Sequence, residues 1–155
     1  MNRRVWILSV ALGLSTVLTV RGAFSQGGEQ SKRRAINLPG PVSQLPFSKA
    51  ILAGDTLYLS GSIGLDSKTG KAPDKIEDEI KNLFDDYKTT LSAAGMSMDD
   101  LVFVQVFSTD LSLYDKFNAA YRTQFLKDFP ARAFIGTGSL LRGGHFEMQA
   151  IAVRH

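Results

Sequence analysis

Between Lys75 and Ala94 the apolar residues fall at Ile76, Ile80, Leu83, Phe84, Tyr87, Leu91 and Ala94. Steps of 4, 3, 1, 3, 4 and 3 put all seven on one face of a helix. Such a stripe must be buried against a complementary layer, so the rest of the chain has to supply one. Asp74, with Glu77 three residues on, predicts a capping box, and Gly95 stands where a helix C-cap is expected.

The complementary layer reads as β-structure. Ser48 to Ala53 and Thr56 to Ser60 are short apolar runs joined by Gly54-Asp55, a pair suited to a two-residue hairpin turn. Asp66 to Gly70 is a second turn. Leu101 to Ser108 is apolar nearly throughout, as a central strand would be. A second helix is expected from Ser112 to Phe125, with Leu113, Phe117, Ala120, Tyr121 and Phe125 inward. Ala131 to Ser139 and His145 to Val153 read as two further strands around Arg142-Gly143-Gly144. Strand-strand-helix-strand-helix-strand-strand predicts an α+β fold, a mixed β-sheet with two helices packed on one face. The opposite sheet face, also apolar, makes the chain a candidate for oligomerisation.

A length of 155 residues suits one such domain with an address in front of it. Arg3 and Arg4 precede an apolar run from Val5 to Val20, followed by Ala23-Phe24-Ser25. That order predicts a secretory signal peptide over 1–25, cut after Ser25. The competing reading is a membrane anchor, but a run from Val5 to Val20 is short for a span of roughly 20 residues, so no stable span is expected after cleavage. Asn2-Arg3-Arg4-Val5-Trp6 only weakly resembles a twin-arginine signal, and either route gives a periplasmic or secreted location. Residues 26–37 are polar and aperiodic and read as a flexible leader, which leaves 38–155 as the folded domain.

Several chemistries have no means here. The chain has no cysteine, so disulfides, thiolate metal sites and a cysteine nucleophile are excluded. With only two histidines, His145 and His155, a histidine-built metal site or a Ser-His-Asp triad is not expected. No glycine-rich nucleotide motif and no zinc-protease motif occurs. The net charge of +3 is misleading: removing Arg3, Arg4 and Arg21 with the signal leaves 15 basic against 15 acidic residues. Without a basic excess, nucleic acid is not an expected partner.

Two charges interrupt apolar strands. Arg132 follows Phe129-Pro130-Ala131, and Glu147 lies between Phe146 and Met148. A lone charge costs several kcal/mol to bury, so each must be paired, exposed at a rim, or held for a ligand. From the residues alone, an Arg132–Glu147 ion pair, two solvent-facing side chains and a ligand site all remain open. Alternation places His145 on the same strand face as Glu147, at the rim of any site there.

Many blocks of the chain resemble one family. Leu45-Pro46-Phe47-Ser48-Lys49-Ala50, Gly54 to Gly61, Asp66 to Gly70, Asp110 with Phe117-Asn118-Ala119-Ala120-Tyr121, Phe129-Pro130-Ala131-Arg132 and Phe146 to Ala152 match the RidA/YjgF family in order and at near-family spacing. The resemblance spans Leu38 to His155. It implies a YjgF/chorismate-mutase-like fold assembled as a homotrimer, with sites at the subunit interfaces. It also implies hydrolysis of reactive enamines and imines, such as 2-aminoacrylate or 2-iminopropionate, to 2-keto acids and ammonia, with no metal and no organic cofactor. On this resemblance Arg132 anchors the substrate carboxylate and Glu147 positions or deprotonates the attacking water. Phe47, Ser60, Asn118 and Phe134 fall at substrate-binding positions. A planar guanidinium can bind a carboxylate through two parallel hydrogen bonds, which lysine cannot. Phe47 stands where many members have tyrosine, Ser62 replaces a glutamine, and Phe134 replaces a small residue or cysteine. The alternative to an exported deaminase is a non-catalytic small-carboxylate-binding trimer on the same scaffold. The family's older label as a ribonuclease finds no support in the near-neutral charge.

Overall fold

A computed structural model describes residues 33–38 and 46–154. The expected signal peptide and most of the expected leader lie outside the described residues. Six strands form one mixed sheet: β1 (Arg34–Ile36), β2 (Ala50–Ala53), β3 (Thr56–Ile63), β4 (Leu101–Ser108), β5 (Ala131–Gly136) and β6 (Phe146–Val153), in the spatial order β1-β2-β3-β6-β4-β5. All neighbours are antiparallel except β4 and β5, which run parallel and are joined through a helix. The helices are α1 (Ile76–Ala93) and α2 (Tyr114–Arg122).

The α1 stripe behaves as its spacing demands. Ile80, Leu83, Phe84, Tyr87, Leu91 and Ala94 are buried and Ile76 packs at the margin. They meet inward residues of the sheet, among them Leu57 and Leu59 of β3, Val104 and Val106 of β4, and Phe146, Met148, Ala150 and Ala152 of β6. Gly95 takes φ +73°, a value open to glycine, and the amide of Met96 donates to the Leu91 carbonyl at 2.9 Å, closing the helix. The hairpin also forms as expected, with Ala53 opposite Thr56 and Gly54 at φ +61°.

Five expectations need correction. The capping box of Asp74 and Glu77 does not form: Lys75 is the N-cap without a side-chain bond, and Glu77 turns outward to accept from Lys116 Nζ at 2.8 Å. The second helix is shorter than Ser112 to Phe125. A 3-10 turn at Leu111–Leu113, capped by the Asp110 carboxylate accepting from Ser112 N at 2.8 Å, precedes α2. Near its end the Ala120 carbonyl accepts from the Thr123 and Gln124 side chains at 2.7 and 2.8 Å, and the helix stops at Arg122. The strand from Ala131 ends at Gly136 rather than Ser139, and the last strand starts at Phe146 rather than His145. Finally, Arg34–Ile36, expected within the flexible leader, pair with β2 as β1.

Two close approaches fix α1 on the sheet. Glu79 is fully buried, and its carboxylate accepts from His145 N at 2.7 Å and Phe146 N at 3.0 Å while facing His145 Nδ1 at 2.8 Å. His145 therefore precedes the strand, where alternation no longer governs it, and its ring is drawn to α1. A Cβ on Gly64 would stand 1.8 Å from the Glu79 carbonyl oxygen, so the chain after β3 passes α1 at a distance only glycine permits.

Both helices lie on one face of the sheet. The other carries Tyr58, Phe103, Gln105, Phe107, Gln149 and Ile151, paired across β3, β6 and β4; Tyr58 is 51% exposed and Phe103 36%.

Candidate functional site

The six residues expected at the site divide into two groups, Asn118 and Phe134 around Arg132 and Phe47 and Ser60 around the pocket of Glu147. In register, Arg132 pairs with Val104, which is fully buried under the helices. Glu147 pairs with Phe107 on β4 and Ile63 on β3, on the bare side. Since partners in register share a face, Arg132 and Glu147 point away from each other and lie two strands apart. They form no ion pair, which removes the simplest of the alternatives left open by the sequence.

Arg132 lies under α2. Its Nη2 donates to Asn118 Oδ1 at 2.7 Å, and its Cζ sits 4.4 Å from the Tyr121 ring centroid. Tyr114 and Phe134 flank it, each with its ring centroid 5.9 Å from Cζ, and meet each other edge-on at 5.0 Å. Stacking on aromatic faces suits a guanidinium, whose flat faces are weakly hydrated. Among the described residues no carboxylate is paired with Arg132. Its Nη1 is buried without a hydrogen-bond partner, and so is the Tyr121 hydroxyl. Burial pushes the Tyr121 phenol up to about 12, with the nearby Arg132 charge opposing the shift, so the hydroxyl keeps its proton at neutral pH. A pocket of about 180 Å³ opens here, lined by Tyr114, Asn118, Tyr121, Phe129, Pro130 and Arg132 among others.

The second group surrounds a larger pocket of about 620 Å³. It exists because β3 outruns β2: Ala50 pairs with Leu59, and β3 continues to Ile63 with no strand on that side among the described residues. Phe47, Ser60 and Glu147 line it, joined by Lys49, Ser62 and Asp86. Phe47 is half exposed at the rim. The Ser60 hydroxyl donates to the Lys49 carbonyl at 2.9 Å. The register of β3 against β6 slips between Leu59 and Ser62, a bulge that puts Gly61 beside Glu147. A Cβ on Gly61 would stand 2.1 Å from Glu147 Oε1, so the carboxylate fills the space that the missing side chain leaves.

Lys49, Asp86 and Tyr121 were not singled out as site residues from the sequence. Lys49 carries the same signal that marked Arg132, a charge at the start of an apolar strand. Asp86 is one of several acids on the polar side of α1, and only the fold shows which of them meets the pocket.

The fold and the two pockets define an α+β sheet protein with an arginine on one face, not ion-paired among the described residues, and a carboxylate seated beside Gly61 on another strand. The endoribonuclease L-PSP family profile matches residues 39–154. A 2-iminobutanoate/2-iminopropanoate deaminase of Dermatophagoides farinae is 32% identical over 125 residues, covering 79% of this chain and 98% of that protein. A RutC family protein of Pyrococcus horikoshii is 34% identical over 119 residues, covering 76% and 93%. Among solved structures, the yjgF gene product of E. coli superposes with a TM-score of 0.71 at 29% identity, covering 79% of this chain and 99% of that one. The chain belongs to the endoribonuclease L-PSP family, the RidA/YjgF family that its sequence blocks resemble.

Proposed function

We propose that this protein is an exported enamine/imine deaminase that hydrolyses 2-imino acids to 2-keto acids and ammonia, in sites built between two copies of the chain in a trimer. The observation that carries the proposal is Arg132: half-buried, oriented by Asn118 and stacked on Tyr121, with no acid paired to it among the described residues. A buried donor left without a partner costs about 1–3 kcal/mol, and a small carboxylate would satisfy it. The curated relatives named as deaminases support the choice of reaction.

Glu147 cannot reach Arg132's ligand within one protomer, since the two side chains leave opposite faces of the sheet. A second copy laid on the bare face would bring its Glu147, Ser60 and Phe47 to the Arg132 pocket of the first. In that composite site Arg132 holds the substrate carboxylate and sets C2 of the imine before the Glu147 carboxylate. Glu147 takes a proton from water as the oxygen adds to C2, giving a carbinolamine. That proton passes to nitrogen; Glu147 then takes the carbinolamine hydroxyl proton and delivers it to nitrogen as the C–N bond breaks, so that ammonia leaves and the new C=O of the 2-keto acid remains. Each step uses groups already in place, and the acid–base work falls on a single carboxylate.

The test generates 2-aminoacrylate and branched imino acids in situ and follows keto-acid release. Wild type is expected to accelerate release. Arg132→Ala should lose at least about 2 kcal/mol of transition-state binding, roughly 30-fold in kcat/KM, and Glu147→Gln should lose kcat. No acceleration by wild type, together with equal carboxylate affinity in wild type and Glu147→Gln, would replace the deaminase with a small-carboxylate-binding trimer.

A further inference from the structure

We propose that Lys49 and Asp86 are positioning residues for Glu147, holding the Ser60–Ser62 bulge of β3 in the one shape that leaves room for its carboxylate. The proposal rests on the hydrolytic reading above and deepens it.

Glu147 occupies a space walled by the bulge backbone, because Gly61 has no side chain there. Whatever moves the bulge therefore moves the carboxylate. Beyond Leu59 no β2 residue pairs with this segment, so the sheet ladder does not hold it on that side. The Lys49 carbonyl and a group of side chains hold it instead. The Lys49 carbonyl accepts from Ser60 N at 3.0 Å and from Ser60 Oγ at 2.9 Å. The Lys49 ammonium reaches Ser62 Oγ at 3.2 Å and ion-pairs with Asp86 of α1, to which the Ser62 hydroxyl also donates. One residue further along α1, the Tyr87 hydroxyl reaches the carbonyls of Met148 and, at 3.3 Å, Ser60. Both ends of the bulge, and the residue next to Glu147, are thus tied to one helix.

The choice of residues argues that this is more than packing. The Lys49 side chain is only 12% exposed, and an ammonium out of water is costly even when paired, whereas an apolar chain of the same length would fill the space without that cost. What the charged pair adds is direction: it fixes the Ser62 hydroxyl between a donor and an acceptor, and with it the register of the bulge against β6.

A role confined to stability predicts losses that are independent of Glu147. Positioning predicts losses that vanish once Glu147 has no carboxylate to place. The experiment measures kcat and KM for imino-acid hydrolysis by wild type, Lys49→Met, Asp86→Asn, Glu147→Gln and the Lys49→Met/Glu147→Gln double variant. Lys81→Met, at an exposed lysine paired with Asp85, serves as the control. Lys49→Met should lower kcat at least about tenfold with KM within about twofold, and should cost nothing further in the Glu147→Gln background. Additive losses, or wild-type kcat in Lys49→Met, overturn the proposal. Asp86→Asn, which keeps the shape of the helix surface, carries the same test should Lys49→Met not fold. A second arm uses protein with ¹³C-labelled glutamate: Lys49→Met or Asp86→Asn should move the Glu147 carboxyl resonance and the Gly61 amide, and unmoved signals overturn the proposal. If wild type hydrolyses no imine, the reading of the reaction fails and the spectroscopic arm alone decides the positioning role.

Discussion

Arg132 and Glu147 are legible in the sequence because each is a single charge in an otherwise apolar strand. What the sequence does not show is that they face opposite ways, since the face of β5 depends on its register against β4. Nor does it reveal Tyr121 as more than an inward helix position: its ring is buried as expected, but its hydroxyl has no partner and lies in the arginine pocket. At this scale Gly61 gives the sharpest prediction. The atom a new Cβ would meet first is the tip of the Glu147 side chain, 2.1 Å away, and not backbone. Gly61→Ala should therefore displace the carboxylate while sparing the fold, with turnover falling at least about tenfold and Tm changing by no more than a few degrees. Wild-type turnover in Gly61→Ala would contradict the placement of Glu147.

Elements were legible in proportion to how local their causes are. The α1 stripe, its glycine stop and the two-residue hairpin follow from contacts within a few residues, and all three form. β1 was missed because a strand of Arg34–Ile36 is defined by its partner β2 and not by its own pattern. The buried Glu79 escapes the pattern for the same reason: the donors to its carboxylate, the amides of His145 and Phe146, are distant in sequence. Gly64 lies where the chain after β3 crosses α1, and a Cβ there would meet backbone at 1.8 Å. Gly64→Ala should cost at least about 2 kcal/mol, read as a lower denaturant midpoint; an unchanged midpoint would contradict the packing. The Asp66 turn predicts a pH effect. Its carboxylate accepts from Thr69 N at 2.8 Å and Lys68 N at 2.9 Å, which hold it below the usual carboxylate range. The folded value lies below the unfolded one, so the turn's contribution is complete above the ordinary carboxylate value and is lost as pH falls through the folded value. An NMR titration of Asp66 should show a depressed midpoint, and an ordinary or raised one would contradict the hydrogen-bonded turn.

At the scale of the whole molecule, the helices cover one sheet face and leave Tyr58, Phe103 and their neighbours on the other. The alternation of the strands foretold that face; what covers it is not a property of one chain's pattern. In the proposed trimer, Tyr58→Glu should give monomers by sedimentation and lose turnover although Arg132 and Glu147 are both intact. A fully active monomer would contradict the composite site. The most direct measurement mixes Arg132→Ala and Glu147→Gln proteins, each expected to be strongly impaired alone, after dissociation and reassembly. If one copy supplies the arginine and its neighbour the glutamate, hybrid trimers contain intact sites, and activity should return to about a quarter of wild type at equal proportions. If the mixture stays as inactive as its components while hybrid trimers are shown to form, the two residues do not meet across an interface.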